Sequence, residues 1–173
     1  PKWDQYVHSS QASTIYHTLL WRNISVKTFK HKPVFIYAEK DNAVVGVFPL
    51  FLVSGILGKR LVSVPLRDRG GPIYDNLDVL NLLIEESKKI CIENNCEYLE
   101  IKSLTELGSF DKVIEKKYWK NTVVNLEDNI DNIFKKFSKG HKAGIKFAST
   151  KGVRIHRAKD IGDINEFYRL FLK

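Results

Sequence analysis

Sixteen consecutive residues, Ala43 to Gly58, carry no charge. A run of that kind has to be buried, and its length decides how. It falls short of the roughly 20 residues that a membrane-spanning helix needs, and Gly46, Pro49, Gly55 and Gly58 interrupt it. Two buried β-strands around a turn at Ser54-Gly55 satisfy both facts, because a strand covered on both faces reads as a continuous apolar run. The chain must therefore build a sheet with a covered centre. With 43% hydrophobic residues in 173, it has the material for a core.

The surrounding pattern supplies partners for that sheet. A helical turn is expected over Asp4–Val7. Ser13 or Thr14 is expected to cap a helix to about Ser25, with Tyr16, Leu19, Leu20 and Trp21 inward. Val34–Glu39 reads as a strand and Asp41-Asn42 as a tight turn. Val44–Val53 and Arg60–Val64 follow as strands, and a loop from Pro65 to Asp75 comes next. After a cap at Asp75 or Asn76, Leu80, Leu83, Ile84, Ser87 and Cys91 recur at helical spacing. Glu97–Lys102 alternates as a strand. A helix is expected over Leu107–Lys117, a strand over Trp119–Leu126, and a helix over Asn129–Ala148 broken by Gly140 and Gly144. Val153–Arg157 reads as a strand. Asp163 and Glu166 resemble a capping box for a last helix with Ile164, Phe167, Tyr168 and Phe171 on its apolar face. The fold class is mixed α/β, a central mixed sheet flanked by helices.

Charge is unevenly placed. Nine of the 28 Lys and Arg residues lie between Lys135 and Lys159, a segment with no Asp or Glu, so this segment alone accounts for the net charge of +8. Lys135, Lys139, Lys142 and Lys146 share one helical face. A single-sign stripe points to an anionic partner, such as a nucleotide diphosphate, a lipid diphosphate or a tRNA backbone. A solvated lysine face is the plainer alternative. Cys91 and Cys96 lack the C-x-x-C spacing of a zinc or redox site and read as free thiols. His31, His141 and His156 have no metal-ligand spacing, so no metal is expected. No Ser/His/Asp set or Gly-x-Ser-x-Gly elbow is present, and no catalytic residue stands out. The first residues show no basic region followed by an apolar one, which fits a cytoplasmic location.

The element order matches the N-acetyltransferase (GNAT) fold class. In acyl-CoA enzymes of that class, a loop of the form Arg/Gln-x-x-Gly-x-Gly/Ala offers backbone N–H groups to a pyrophosphate. Arg67, Gly70 and Gly71 fall in the corresponding loop, but Pro72 has no N–H to donate. Three stretches carry a narrower resemblance. Arg69-Gly70-Gly71-Pro72 followed by Asp75 resembles the Arg-Gly-Pro-x-x-Asp loop of the FemA/FemB/FemX transferases. Tyr16-His17-Thr18-x-x-Trp21 is similar to an aromatic-His-Thr-x-x-Trp segment of the wider FemAB-like acyltransferases. Lys142-x-x-Ile145-Lys146-x-Ala148, ending at Gly152-Val153, is similar to their Arg/Lys-x-x-Ile-Arg/Lys-x-Ala segment. Lys142 stands where arginine is common, and Asn23 replaces a lysine found in some members.

The resemblance implies a first GNAT-like domain over residues 1–158, with 159–173 opening a second one. It implies transfer of an aminoacyl group from aminoacyl-tRNA, or an acyl group from acyl-CoA, onto an amine of an anionic acceptor such as a cell-wall precursor peptide. No bound cofactor is expected. Substrate-binding residues would be His17, Trp21, Arg67, Arg69, Gly70, Gly71, Lys139, Lys142 and Lys146, with tRNA and the inner membrane face as further partners. His17 reads more readily as a structural residue than as a catalyst. Two other classes remain open: a stand-alone acyl-CoA N-acyltransferase, and a non-catalytic module binding RNA or anionic lipid.

Overall fold

The computed structural model describes residues 1–55, 58–103, 106–108, 110–111, 114–116, 124–126 and 129–172. The chain forms two compact units, Pro1–Val113 and Ile114–Lys173, and each is described by itself.

The first unit is a mixed sheet flanked by helices. Helix α1 (Lys2–Ser9), a 3-10 turn (Ile15–His17) and α2 (Leu19–Phe29) precede β1 (Lys32–Lys40), β2 (Ala43–Gly55), β3 (Gly58–Ser63), β4 (Ile73–Tyr74), α3 (Leu77–Glu93) and β5 (Tyr98–Glu100). The strand order is β1-β2-β3-β5, and β4 also pairs with β2. Every pairing is antiparallel except that of β5 with β3. Asp41 and Asn42 turn β1 into β2 with φ of 51° and 64°, as a two-residue hairpin of this twist requires. The next hairpin pairs Gly55 with Gly58, so β2 runs through the turn expected at Ser54-Gly55.

The uncharged run is the covered centre of the sheet. Phe48 and Leu50 of β2 pack with Leu61 against Leu80, Leu83 and Ile84 of α3. Val47 turns to the opposite face and joins Trp3, Val7 and Ile73 under α1. Gly46 lets α3 approach, since a Cβ there would lie 2.5 Å from Val79 Cγ1. Pro49 sits where β2 changes partners: β4 reaches only Val47 and β3 begins at Leu50. That seam is where a central strand can hold a residue without an N–H.

Helix α3 has defined ends. The Asn76 side chain accepts from Val79 N–H at 3.0 Å. At the other end Asn95 takes φ of 54°, with Asn95 N–H donating to Ile92 O and Cys96 N–H to Cys91 O, a Schellman stop. Cys91 is buried and its thiol is pushed up to about 11, by burial first and then by Cys96.

Capping chemistry corrects several expected boundaries. Residues Ile15–His17 form a 3-10 turn, and Thr18 caps a separate helix by accepting from Trp21 N–H. That resets the helical phase and leaves Leu20 60% exposed rather than inward. In the second unit, Ser138 caps α5 (Lys139–Thr150) after α4 (Ile130–Lys136). The break expected at Gly140 and Gly144 is therefore at Phe137-Ser138, and both glycines are helical. Helix α6 (Ile161–Phe171) is capped by Asp160, whose carboxylate accepts from Gly162 and Asp163 N–H, while Asp163 accepts from Lys159 N–H. Glu166 instead pairs with Arg169. Val153–Arg157 is irregular rather than strand, having no pairing partner among the described residues. The described part of 107–117 is not helical, and most of the strand expected at Trp119–Leu126 lies outside the described residues. No helix among the described residues is long and apolar enough to cross a membrane.

Candidate functional site

The loop between β3 and β4 begins with a forced turn. Val64, Pro65, Leu66 and Arg67 close on the bond from Arg67 N–H to Val64 O, with proline second and φ of 62° at Leu66. This is the pattern of a type II turn, with leucine where glycine is the usual choice. Val64 itself has φ of 49°, a strained conformation for a buried β-branched residue.

Arg67 lies against two aromatic rings. Its guanidinium carbon is 4.9 Å from the Trp21 ring centroid and 6.0 Å from that of Tyr16. The two rings meet edge to face at 5.0 Å. A cation over tryptophan at this range contributes about 0.5–2 kcal/mol according to its exposure. One guanidinium N–H donates to Leu66 O at 2.8 Å. Arg69, half-buried two residues on, makes no ion pair or hydrogen bond among the described residues, and neither does exposed Asp68. Trp21 is buried, and its Nε1–H finds no acceptor among the described residues.

The glycines that follow are fixed by close packing. A Cβ on Gly70 would fall on the Val64 side chain, and one on Gly71 would press Ser103. Gly70 N–H donates to Lys102 O at 3.0 Å, and Lys102 N–H donates to Ser63 Oγ at 2.8 Å. These bonds tie the loop to the place where the short β3–β5 pairing ends. Gly70 N–H is thus occupied and Pro72 has none, so two positions of the backbone cradle of an acyl-CoA pyrophosphate site lack a free N–H. The loop's cationic groups are the side chains of Arg67 and Arg69.

His17 fastens this loop to the N-terminal elements. Thr14 N–H donates to Nδ1 at 3.1 Å, which makes Nδ1 the acceptor and places the ring proton on Nε2. Nε2–H then donates to Gly71 O at 2.9 Å, and the Trp3 indole donates to His17 O at 2.7 Å. Burial lowers the His17 pKa, opposed by its bonds to Gly71 and Thr14, so the ring is neutral near pH 7. Both ring nitrogens are engaged by the protein. Asp75 is also fastened: Tyr6 OH donates to its carboxylate at 2.7 Å. Burial, and then Asp75, push the Tyr6 phenol above its ordinary range.

In the second unit the lysines of the stripe differ. Lys142 Nζ donates to Lys135 O at 2.8 Å, at the C-terminal end of α4, and lies 5.8 Å from the Phe134 ring centroid. Lys139 and Lys146 have no such partner among the described residues. Sequence reasoning named Tyr16, Trp21 and Arg67 separately and missed their stacking, which only the fold brings about. It also missed the turn at Val64–Arg67, for which Pro65 was the available signal. Among the described residues no group of three or more His, Cys, Asp or Glu side chains is placed to hold a metal. No protein-family model matches the chain, and no curated protein matches its sequence.

Proposed function

We propose that the chain is the acceptor-recognising, GNAT-like part of a FemAB-like transferase acting in the cytoplasm. The transfer would move an aminoacyl group, or an acyl group, onto an amine of an anionic acceptor such as a peptidoglycan precursor peptide. The element order supports the class: antiparallel β1–β3, a loop, the long α3, and β5 returning parallel to β3. The observation that carries the reading is Arg67 seated on Trp21 and Tyr16, with Arg69, two residues on, having no partner among the described residues. A guanidinium supported on an aromatic face keeps its remaining N–H groups for the paired oxygens of a phosphate or carboxylate. Attack of an amine on an activated ester depends mainly on holding the reactants together, which such an anchor serves.

The engaged Gly70 N–H and the missing Pro72 N–H weigh against an acyl-CoA donor on this loop and for an aminoacyl ester. A non-catalytic polyanion module draws support from Lys139 and Lys146, the lysines of α5 whose side chains have no partner among the described residues. The test is titration of a nucleotide-diphosphate-linked precursor peptide against the wild-type chain, Arg67→Gln and Arg69→Gln, with thermal unfolding alongside. Each substitution is expected to weaken binding by roughly tenfold, one charge-assisted hydrogen bond's worth, with stability nearly unchanged in Arg69→Gln and lowered in Arg67→Gln by about the 0.5–2 kcal/mol of its aromatic contact. Absence of binding by the wild-type chain, or binding by both variants as tight as the wild type's, refutes the reading.

A further inference from the structure

We infer that the first unit carries a second anion site, a cleft at the hairpin end of the sheet that takes a phosphate or diphosphate group attached to an apolar body. The cleft has a volume of about 520 Å³ and lies where α2 ends, β1 begins and the β2–β3 hairpin leaves the core. Lys30, Lys32 and Lys59 line it, and no acidic residue does. None of the three lysines makes an ion pair or side-chain hydrogen bond among the described residues. The nearby Glu97 carboxylate packs against Gly58 and makes no ion pair among the described residues either.

Simpler explanations account for part of this charge only. Lys30 is the left-handed cap of α2, and α3 also ends at the cleft, at Asn94. Each helix C-terminus carries about half a negative charge, so the two together leave roughly two of the three positive charges uncompensated. A lysine on an edge strand such as β1 guards against pairing with another chain. That accounts for Lys32, whereas Lys30 and Lys59 arrive from a helix end and from the inner strand β3.

The walls specify the rest of the ligand. Phe29 stacks on His31 at 5.5 Å, His31 meets Phe51 edge to face at 6.0 Å, and Leu52 and Val53 continue the apolar side. His31 Nδ1 is buried with no hydrogen-bond partner, and turning the ring over exchanges it with a carbon. It is a buried atom of a residue that lines the cleft, and its hydrogen-bonding capacity is unused among the described residues. Cations on one side and aromatic and aliphatic groups on the other suit an amphiphilic phosphate, whether a soluble diphosphate or the headgroup of a lipid. The inference stands on the cleft alone and is independent of the Arg67–Arg69 site.

The test uses the full 173-residue chain. Inorganic pyrophosphate, geranyl diphosphate and phosphatidylcholine vesicles with and without phosphatidic acid are titrated, with the ring protons of His31 and Phe29 followed by NMR. Pyrophosphate should shift the His31 signals, and geranyl diphosphate should bind more tightly and also shift Phe29. Lys30→Gln, Lys32→Gln and Lys59→Gln combined should weaken both ligands by about tenfold or more, with the melting curve retained because all three side chains are exposed. Binding to the doped vesicles alone identifies a lipid headgroup as the source, and binding to the soluble diphosphates alone identifies a free ligand. Binding to none of the probes, or the same affinity in the triple variant, overturns the inference. Should the triple variant unfold, Lys59→Gln alone with the wild-type NMR shifts decides the matter in the same terms.

Discussion

Replacing His17 by alanine tests whether the glycine loop is held from within. The substitution removes the Nε2–H bond to Gly71 O and the contacts of Nδ1 with Thr14 N–H and Oγ1, and leaves the Trp3 bond to the His17 carbonyl in place. Gly71 is buried, so its carbonyl loses its partner away from water, which costs about 1–3 kcal/mol. Thr14 is half-buried and water can replace part of its bond, which adds about 0.5–1.5 kcal/mol. The expected loss is therefore roughly 2–4 kcal/mol, a large share of the roughly 5–15 kcal/mol that folded domains possess. Urea unfolding followed by near-ultraviolet circular dichroism of the buried Trp3 and Trp21 measures it. The pH dependence gives a second readout. His17 has a folded pKa below the unfolded value of 6.5, so the unfolded chain binds the proton first. Its contribution is complete above that value and is lost as pH falls below it toward the folded pKa. The alanine variant should lack this part of the acid sensitivity, with any remaining share from His31, whose pKa burial and then Arg60 also lower. A loss under about 0.5 kcal/mol, the range of ordinary surface changes, would refute the argument that His17 is a structural pin.

Two further substitutions separate packing from binding. Gly70→Ala places a methyl on the strained Val64 and should cost about 1–3 kcal/mol by overpacking, read as a lower urea midpoint. Lys139→Gln and Lys146→Gln should each reduce the salt slope of binding to a single-stranded polyanion by roughly 0.7, whereas Lys142→Gln, which loses its bond to Lys135 O, should show instead as reduced helix signal in α4.

What the sequence made legible depended on local chemistry. Helix α3 could be read because its apolar spacing and the Asn76 cap are both local, and the Asp41-Asn42 turn because only a few residue types accept its geometry. The sheet centre followed from Ala43–Gly58 because sixteen uncharged residues admit few burials. Capping was legible in principle, yet Thr18 stands near Thr14 and Asp160 near Asp163, residues of similar promise, and Ser138 was hidden by the reading of Asn129–Ala148 as one helix. Glycine misled at Gly140 and Gly144 because its helix cost of about 1 kcal/mol is smaller than what a helix with a good cap tolerates. The loop was legible as a special place but not in its workings. Gly70 and Gly71 take partners from Lys102 and His17, which lie 32 and 54 positions away, and no local pattern carries that information.

With Gly70 N–H tied inward, the proposed recognition would fall to the loop's side chains, and Arg67→Lys examines that directly. The change keeps the charge and the position. It removes the planar fork and most of the contact with Trp21 and Tyr16, since an ammonium is a compact, strongly hydrated cation. If Arg67 acts only as one charge in a diffuse basic field, lysine should serve nearly as well, and binding of the precursor peptide should fall by less than about twofold while keeping its salt dependence. If the stacked guanidinium holds paired oxygens, lysine should lose roughly tenfold, close to the glutamine variant, because one charge-assisted bond and the fixed orientation disappear together. Tryptophan fluorescence separates the cases further. Removing the cation from the Trp21 ring should change its emission before any ligand is added, which a distant surface charge would not do. Retained affinity in Arg67→Lys, with unchanged emission, would mean that the aromatic seat has no part in recognition.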